Sequence, residues 1–268
     1  MIFWEGGRDI SMSPIKKNTK NVSVAETEDK RNKPQIFNPD GISPAVIRRM
    51  PRYLRYVRTL KQEGVSRISS EKLSKLMNVS ASQIRQDFNC FGGFGQQGYG
   101  YNVDFLYSKM EEILCLGKGY RAIILGAGNL GRALIHSPMF SKAGVRPVAM
   151  FDVRENLVGD VVGGVPIYHI DNLEDFCEKN KVDIAVLTLS REAAPEVANR
   201  AINCGIVAIW NFTNAKLGIS RNEAIVESVH MSDSLMTLTY RLGYHEKSRK
   251  EAGSKAAKMS SDDVGGEK

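Results

Sequence analysis

Arg121-Ala122-Ile123-Ile124-Leu125-Gly126-Ala127-Gly128-Asn129-Leu130-Gly131-Arg132-Ala133-Leu134-Ile135 is a short apolar run, a glycine turn and the opening of an amphipathic segment. Gly126, Gly128 and Gly131 stand at G-x-G-x-x-G spacing directly behind the apolar run. In a strand–turn–helix, the first such glycine makes the tight turn and the second lets the backbone approach a pyrophosphate. The third lets helix pack on strand. The N-terminus of the helix that follows offers N–H groups and a positive dipole end to phosphate. Gly126, Ala127, Gly128, Asn129, Leu130 and Gly131 are therefore candidate cofactor-binding residues.

The surroundings support a dinucleotide fold. A second apolar run, Pro147-Val148-Ala149-Met150-Phe151, ends at Asp152, roughly 20 residues past the last glycine, where such folds place the acid that bonds the adenosine ribose. An acid there favours NAD over NADP, and Arg154 two residues on works against that preference. Beyond Asp152 the α/β alternation continues. Residues 161–168 suit a strand pair or an extended loop, 171–180 a helix, 182–188 a buried strand, 191–204 a helix and 207–212 another strand. This alternation predicts a doubly wound parallel sheet. Ligands in such sheets sit at the carboxyl ends of the strands, so Thr188, Leu189, Ser190, Asn211 and Phe212 border the expected pocket.

The chain has 268 residues, 42% hydrophobic content and a net charge of +7. It has no apolar run long enough to span a membrane, and its first residues lack the basic flank and apolar core of a signal peptide. Cys90, Cys115, Cys177 and Cys204 lie far apart without metal-ligand spacing; they read as reduced thiols of a cytoplasmic protein. No metal site is expected. Charge is uneven: residues 41–102 hold ten Lys or Arg against three acids, which accounts for the whole net charge. A basic block beside a neutral sheet domain points to nucleic acid as the block's partner.

Within that block, Ser43-Pro44 opens a helix with a cap residue and a proline at the first helical position. Tyr53, Leu54, Val57 and Leu60 recur at helical spacing. Pro51 predicts a break or kink. A second, short helix begins near Ser69. A third begins at Ser80, where Ser80 and Gln83 form an S-x-x-Q capping box and Val79 and Ile84 a hydrophobic staple. Two short helices with a tight turn between them describe a helix-turn-helix. The second would expose Ser82, Gln83, Arg85 and Gln86, whose donor and acceptor geometry suits base edges. Residues 91–102, with five glycines and interleaved aromatics, suit a β-hairpin wing. Candidate DNA-binding residues are Arg48, Arg52, Ser80, Ser82, Gln83, Arg85, Gln86, Gln96, Gln97 and Tyr99.

The expected organisation is a disordered leader (1–40), a winged helix (41–102), a linker helix (103–118) and a dinucleotide-binding domain (119–228). A dimerisation helix (229–245) and a disordered tail (246–268) complete it. Met231, Leu235, Leu238 and Leu242 form an apolar stripe near the end. It can pack on its own domain or on a partner, and two-fold operator binding favours the partner.

VSASQIRQDF, FGGFGQQGYGYNV, GAGNLGRAL, FDV and WNFT, in that order, resemble the Rex family of bacterial redox-sensing transcriptional repressors, from about Ile42 to Leu242. The resemblance implies a homodimer with an N-terminal winged helix, a C-terminal Rossmann domain and a last helix swapped between subunits. It implies a protein that binds operator DNA when NADH is low and is released by NADH, with NADH and NAD⁺ as effectors rather than substrates. Two positions depart from the family pattern. Ser137-Pro138 stands where members usually carry tyrosine before proline, and His230 closes Glu227-Ser228-Val229-His230 where they usually carry aspartate. In the family these two residues are thought to pair across the dimer in response to the nicotinamide.

Three other readings use the same residues. An NAD-dependent oxidoreductase with an accessory basic domain would need a proton donor or acceptor near the nicotinamide. His136, His169, His230 and His245 lie at or beyond helix ends, and no Tyr-x-x-x-Lys is present, so no catalytic residue is assigned. A DNA-binding paralogue insensitive to NADH would follow if Ser137 and His230 remove the switch. A different adenosine ligand, such as coenzyme A, would use the same turn.

Overall fold

The computed structural model describes residues 41–96 and 99–262, and the side chains of all of these except 96 and 251–262. The expected leader and the wing-tip residue Gln97 lie outside the described residues.

The N-terminal module is built from α1 (Pro44–Gln62), β1 (Arg67–Ile68), α2 (Ser70–Met77), α3 (Ala81–Asn89), β2 (Gly95–Gln96), β3 (Gly100–Asn102) and α4 (Val103–Ile113). Side chains cap the helices: Ser69 accepts from Lys72 N–H at 3.1 Å, Ser80 from Gln83 N–H at 3.2 Å and Asn102 from Phe105 N–H at 2.8 Å. Each satisfies a backbone donor that the first helical turn leaves without an intrahelical partner. α2 ends where Asn78 turns left-handed (φ 52°), which sets α3 as the second helix of the pair. β1, β3 and β2 form an antiparallel three-stranded sheet in that order, which is the wing. Gly100 is required there. Its φ is +72°, and a Cβ would sit 2.7 Å from the Ile68 carbonyl oxygen.

Two expectations are corrected here. α1 runs unbroken through Pro51, because the residue is exposed and the carbonyl deprived of its N–H partner can turn to solvent. α4 is no free linker and is shorter than expected. Val103, Leu106 and Met110 are fully buried in one core with Met50, Tyr53 and Phe88, so α4 closes the winged-helix module. Phe88 sits at the centre of this core, edge-on to Tyr53, Phe94 and Tyr101 at centroid distances of 5.1–5.3 Å. That arrangement ties recognition helix, wing and α1 into one packed unit.

The second module comprises β4 (Tyr120–Leu125), α5 (Asn129–His136), α6 (Met139–Lys142), β5 (Val145–Asp152), β6 (Val161–Val162) and β7 (Val165–His169). It continues with α7 (Leu173–Lys179), β8 (Ile184–Leu187), α8 (Ala194–Asn203), β9 (Ala208–Asn211) and β10 (Ile225–Ser228). The sheet order is β10-β9-β8-β4-β5-β7-β6, parallel throughout except for the β6–β7 edge hairpin. Alternation along each strand feeds two cores. Ile123, Leu125, Phe151 and Leu187 face α7 and α8, while Ile124, Met150 and Val186 face α5 and α6. Because β5 lies on one side of β4 and β8 on the other, strand order reverses at β4. The crevice for a ligand opens at the carboxyl end of β4. Cys177 and Cys204, distant in sequence, face each other between α7 and α8, and burial pushes the Cys177 thiol up to about 12.

The last helix, α9, spans Met231–Asp262. The expected apolar stripe ends near Leu242 and the expected disordered tail begins at Glu246; the helix instead continues to Asp262, and residues 263–268 of that tail lie outside the described residues. Residues 246–258 are rich in Lys, Arg, Glu and Ala with no proline, and those residue types favour helix on their own. Leu235, Leu238 and Leu242 remain 57–62% exposed, so the stripe does not pack on its own sheet domain.

Candidate ligand cleft and nucleic-acid interface

The carboxyl ends of β4, β5 and β8 enclose a cleft of about 320 Å³. Of the candidate residues, Gly126, Gly128, Asp152, Thr188, Leu189 and Ser190 line it. Phe151, Val153, Arg154, Ile170, Ala193 and Val197 line it too and were not in the candidate set. The three glycines do different work. Gly126 has φ +110°, and a Cβ there would lie 2.7 Å from Thr188 O. A Cβ on Gly131 would lie 2.3 Å from Gly126 O. Both glycines let backbone pack on backbone. A Cβ on Gly128 would meet nothing nearer than an Arg154 nitrogen at 4.0 Å, so its open side faces the cleft. The first intrahelical bond of α5 runs from Arg132 N–H to Gly128 O. The N–H groups before it stand at a helix N-terminus without intrahelical partners.

Asp152 is 7% exposed and its carboxylate is fully engaged. Oδ2 accepts from Ala127 N–H at 2.8 Å and Arg154 Nη2 at 3.0 Å. Oδ1 accepts from Arg154 N–H at 3.0 Å and Nε at 2.9 Å. The Arg154 hydrogen bonds hold this carboxyl below the usual carboxylate range in spite of its burial. Asp152 thus fixes the glycine turn through Ala127 while carrying Arg154 over the cleft mouth.

Other candidates are positioning residues. Thr188 Oγ1 donates to Gly126 O at 2.7 Å and so holds the turn. Asn211 is buried, with Nδ2 donating to Ala215 O and Oδ1 accepting from Thr213. Asn211 and Phe212, like Ala127, Asn129, Leu130 and Gly131, do not line the cleft. For Asn211 the reason is that both ends of its amide are used within its own loop. The two positions that depart from the family pattern make local contacts. Ser137 Oγ accepts from Met139 N–H at 3.3 Å, and His230 Nδ1 pairs with Asn214 Oδ1 at 2.8 Å.

In the winged helix, Arg85, Gln86 and Ser82 are exposed on α3, as are Arg48 on α1 and Tyr99 on the wing. Arg85 Nη1 donates to Ser70 Oγ at 2.9 Å, beside a cleft of about 680 Å³ between α2, α3 and the wing. Three candidates make bonds within the module. Gln83 Nε2 donates to Asp87 Oδ1 at 2.8 Å, so its side chain turns inward and supplies no return half of the capping box. Arg52 bonds the Met77 carbonyl oxygen at the C-terminal end of α2. Ser80 is occupied as the α3 cap. The side chain of Gln96 is outside the described set.

Sequence reasoning missed the polar centre of this module. Asp87 is fully buried and accepts from Arg49 Nε at 2.6 Å, Arg49 Nη2 at 2.7 Å and Tyr53 Oη at 2.7 Å, besides Gln83. Burial alone would push the Asp87 carboxyl up, but the bonds from Arg49, Tyr53 and Gln83 together hold it below the ordinary range. The only signal available was an acid on the inward face of a short helix.

A winged helix-turn-helix joined to a parallel α/β domain with a glycine turn at its switch point defines a two-module protein of DNA-binding and nucleotide-binding type. Family models match both halves: "Putative DNA-binding protein N-terminus" over residues 41–89 and "CoA binding domain" over residues 118–215. The redox-sensing transcriptional repressor Rex of Caldicellulosiruptor saccharolyticus is 48% identical over 220 residues, 82% of this chain and 100% of the relative. That of Clostridioides difficile is 46% identical over 75% of this chain and 95% of its own. Among solved structures, RSP in complex with β-NAD⁺ and operator DNA matches with TM-score 0.72 and 47% identity, covering 79% of this chain and 97% of its own. RSP in complex with β-NADH matches with TM-score 0.72 and 44% identity over 78% and 98%. The chain belongs to the Rex family of redox-sensing transcriptional repressors.

Proposed function

We propose that this chain is a homodimeric transcriptional repressor of the cytoplasm that binds operator DNA when NADH is low and releases it when NADH binds. The observation that carries the reading is the pairing of two built surfaces in one chain. One is an α3 face presenting Arg85 and Gln86; the other is a glycine turn whose Gly128 side is open at a helix N-terminus. The relatives' binding of operator DNA, NAD⁺ and NADH supports it. Dinucleotide can release DNA only by preferring one arrangement of the two winged helices in the dimer.

A second copy is supported by α9, whose apolar residues are exposed, and by an apolar groove of about 300 Å³ that includes Phe140, Trp210 and Ile225. Exchange of that helix between subunits fits both features. Among the described residues, no helix is long and apolar enough to cross a membrane.

The test is an anisotropy titration of the full chain on a palindromic operator, alone, with NAD⁺ and with NADH. Release by NADH and not by NAD⁺ is expected. Indifference to both would overturn the sensing half and leave a DNA-binding paralogue, the outcome to which Ser137 and His230 point. Coenzyme A is the second reading, favoured by the description of the matched family model; failure of excess coenzyme A to displace NADH removes it. Arg85→Ala is expected to weaken operator binding by about 1–3 kcal/mol with dinucleotide affinity unchanged, measured by the same titration beside calorimetry. Asp152→Ala is expected to lower NADH affinity, because it frees the Ala127 N–H and disorders the turn.

A further inference from the structure

We infer that Arg154 sets how this cleft treats the 2′ position of an adenosine dinucleotide, and that it admits a 2′-phosphate as well as a 2′-hydroxyl. The inference rests on the reading of the cleft as a dinucleotide site.

An acid at the end of the second strand ordinarily selects NAD(H), because its free oxygens accept from the ribose hydroxyls and its charge repels a 2′-phosphate. Neither condition holds here. A carboxylate offers about four acceptor positions, and those of Asp152 are taken by Ala127 N–H, Arg154 N–H, Arg154 Nε and Arg154 Nη2. A ribose hydroxyl can bond Asp152 only by displacing a guanidinium donor, and the released guanidinium then stands beside the 2′ position. What a ligand meets first is also the cation: the Arg154 side chain is 52% exposed and that of Asp152 is 7% exposed.

The local charge is balanced rather than negative. Among the described residues lining the cleft, Asp152 and Arg154 are the only charged ones. Arg132, which does not line the cleft, is held by Nε donating to Ala127 O at 3.0 Å and by Nη2 3.6 Å from Asp160 Oδ2. A guanidinium is a planar, always-charged donor fork suited to bidentate phosphate binding. An arginine beside this subsite is the general solution by which dinucleotide folds take the 2′-phosphate.

The test is calorimetry of NADH and NADPH with the full-length wild type, Arg154→Ala and Arg154→Lys. In the wild type, NADPH is expected to bind within about tenfold of NADH. Arg154→Ala should weaken NADPH by roughly tenfold to a hundredfold, the worth of charge-assisted hydrogen bonds, while NADH affinity holds or rises, because the Asp152 oxygens are then free to accept from the ribose hydroxyls. Arg154→Lys, which keeps the charge and loses the fork, should fall between them on NADPH. Retained NADH binding by each variant shows that the domain is folded. NADH binding without NADPH binding in the wild type would overturn the inference and leave the dinucleotide site standing, as would equal losses of both ligands in Arg154→Ala. Failure of both ligands on the wild type would remove the site and the inference together.

Discussion

Asp87→Ala is expected to lose about 3 kcal/mol of winged-helix stability, the lower end of the cost of breaking a buried ion pair by removing one partner. The substitution leaves the Arg49 guanidinium and the Tyr53 hydroxyl without their acceptor, and the carboxylate it removes is fully buried. The lower end applies because the Arg49 side chain keeps 31% exposure, so water takes over part of its charge. Circular dichroism of denaturant unfolding should show the loss in the transition of the helical N-terminal module. NADH affinity, read by calorimetry, should be unchanged, because the side chains that bond the Asp87 carboxylate, Arg49, Tyr53 and Gln83, all lie on α1 and α3.

The same carboxylate gives a pH dependence with a definite sign. Its folded value lies below the ordinary one of about 3.9, so between the two values the unfolded chain binds the proton more readily. Stability from Asp87 is therefore complete above the unfolded value and is lost as pH falls through the folded one. The stability difference between wild type and Asp87→Asn should be constant near neutrality and shrink below about pH 4. A difference that grew with acidification would remove Asp87 from this role.

How much of this was legible in the sequence depends on the range over which each feature is encoded. Gly126, Gly128 and Gly131 are local: strand, turn and helix follow one another, so both the sheet domain and its cleft could be read directly. The Ser69 and Ser80 caps are local in the same way. Asp87 was not legible because its partner Arg49 lies 38 residues away, and only the packing of α3 on α1 brings them together. That contact also explains Gln83, which sits one helical turn before Asp87 and bonds its carboxylate. Asn211 and Thr188 were correctly placed at the strand ends. Which way their side chains point is decided by loop carbonyls that no periodicity reveals. Arg154 was visible as a nearby charge, but the four bonds that Asp152 accepts, three from Arg154 and one from Ala127, required the turn geometry.

Gly131→Ala and Gly128→Ala should separate the structural from the ligand-facing part of the glycine turn. At Gly131 the new methyl would lie 2.3 Å from Gly126 O and 2.9 Å from Thr188 Oγ1. Both neighbours are held: Gly126 by its N–H bond to Phe151 O at 2.8 Å, Thr188 by its bond to Gly126 O. The helix must therefore retreat from the sheet, at a cost of about 3 kcal/mol, the upper part of the overpacking range. Dinucleotide binding should be lost with it. The winged helix has its own core, so Gly131→Ala should still bind operator and should no longer respond to NADH. At Gly128 the methyl meets only an exposed arginine at 4.0 Å and the backbone φ is −73°, so thermal stability should be unchanged. Yet that methyl would project from the turn where a pyrophosphate must approach the backbone, and NADH affinity should fall at least about tenfold. Loss of affinity with intact stability at Gly128, against loss of both at Gly131, is the signature of a phosphate-binding turn. Unchanged affinity in Gly128→Ala would mean that no phosphate approaches here and that the turn only joins strand to helix.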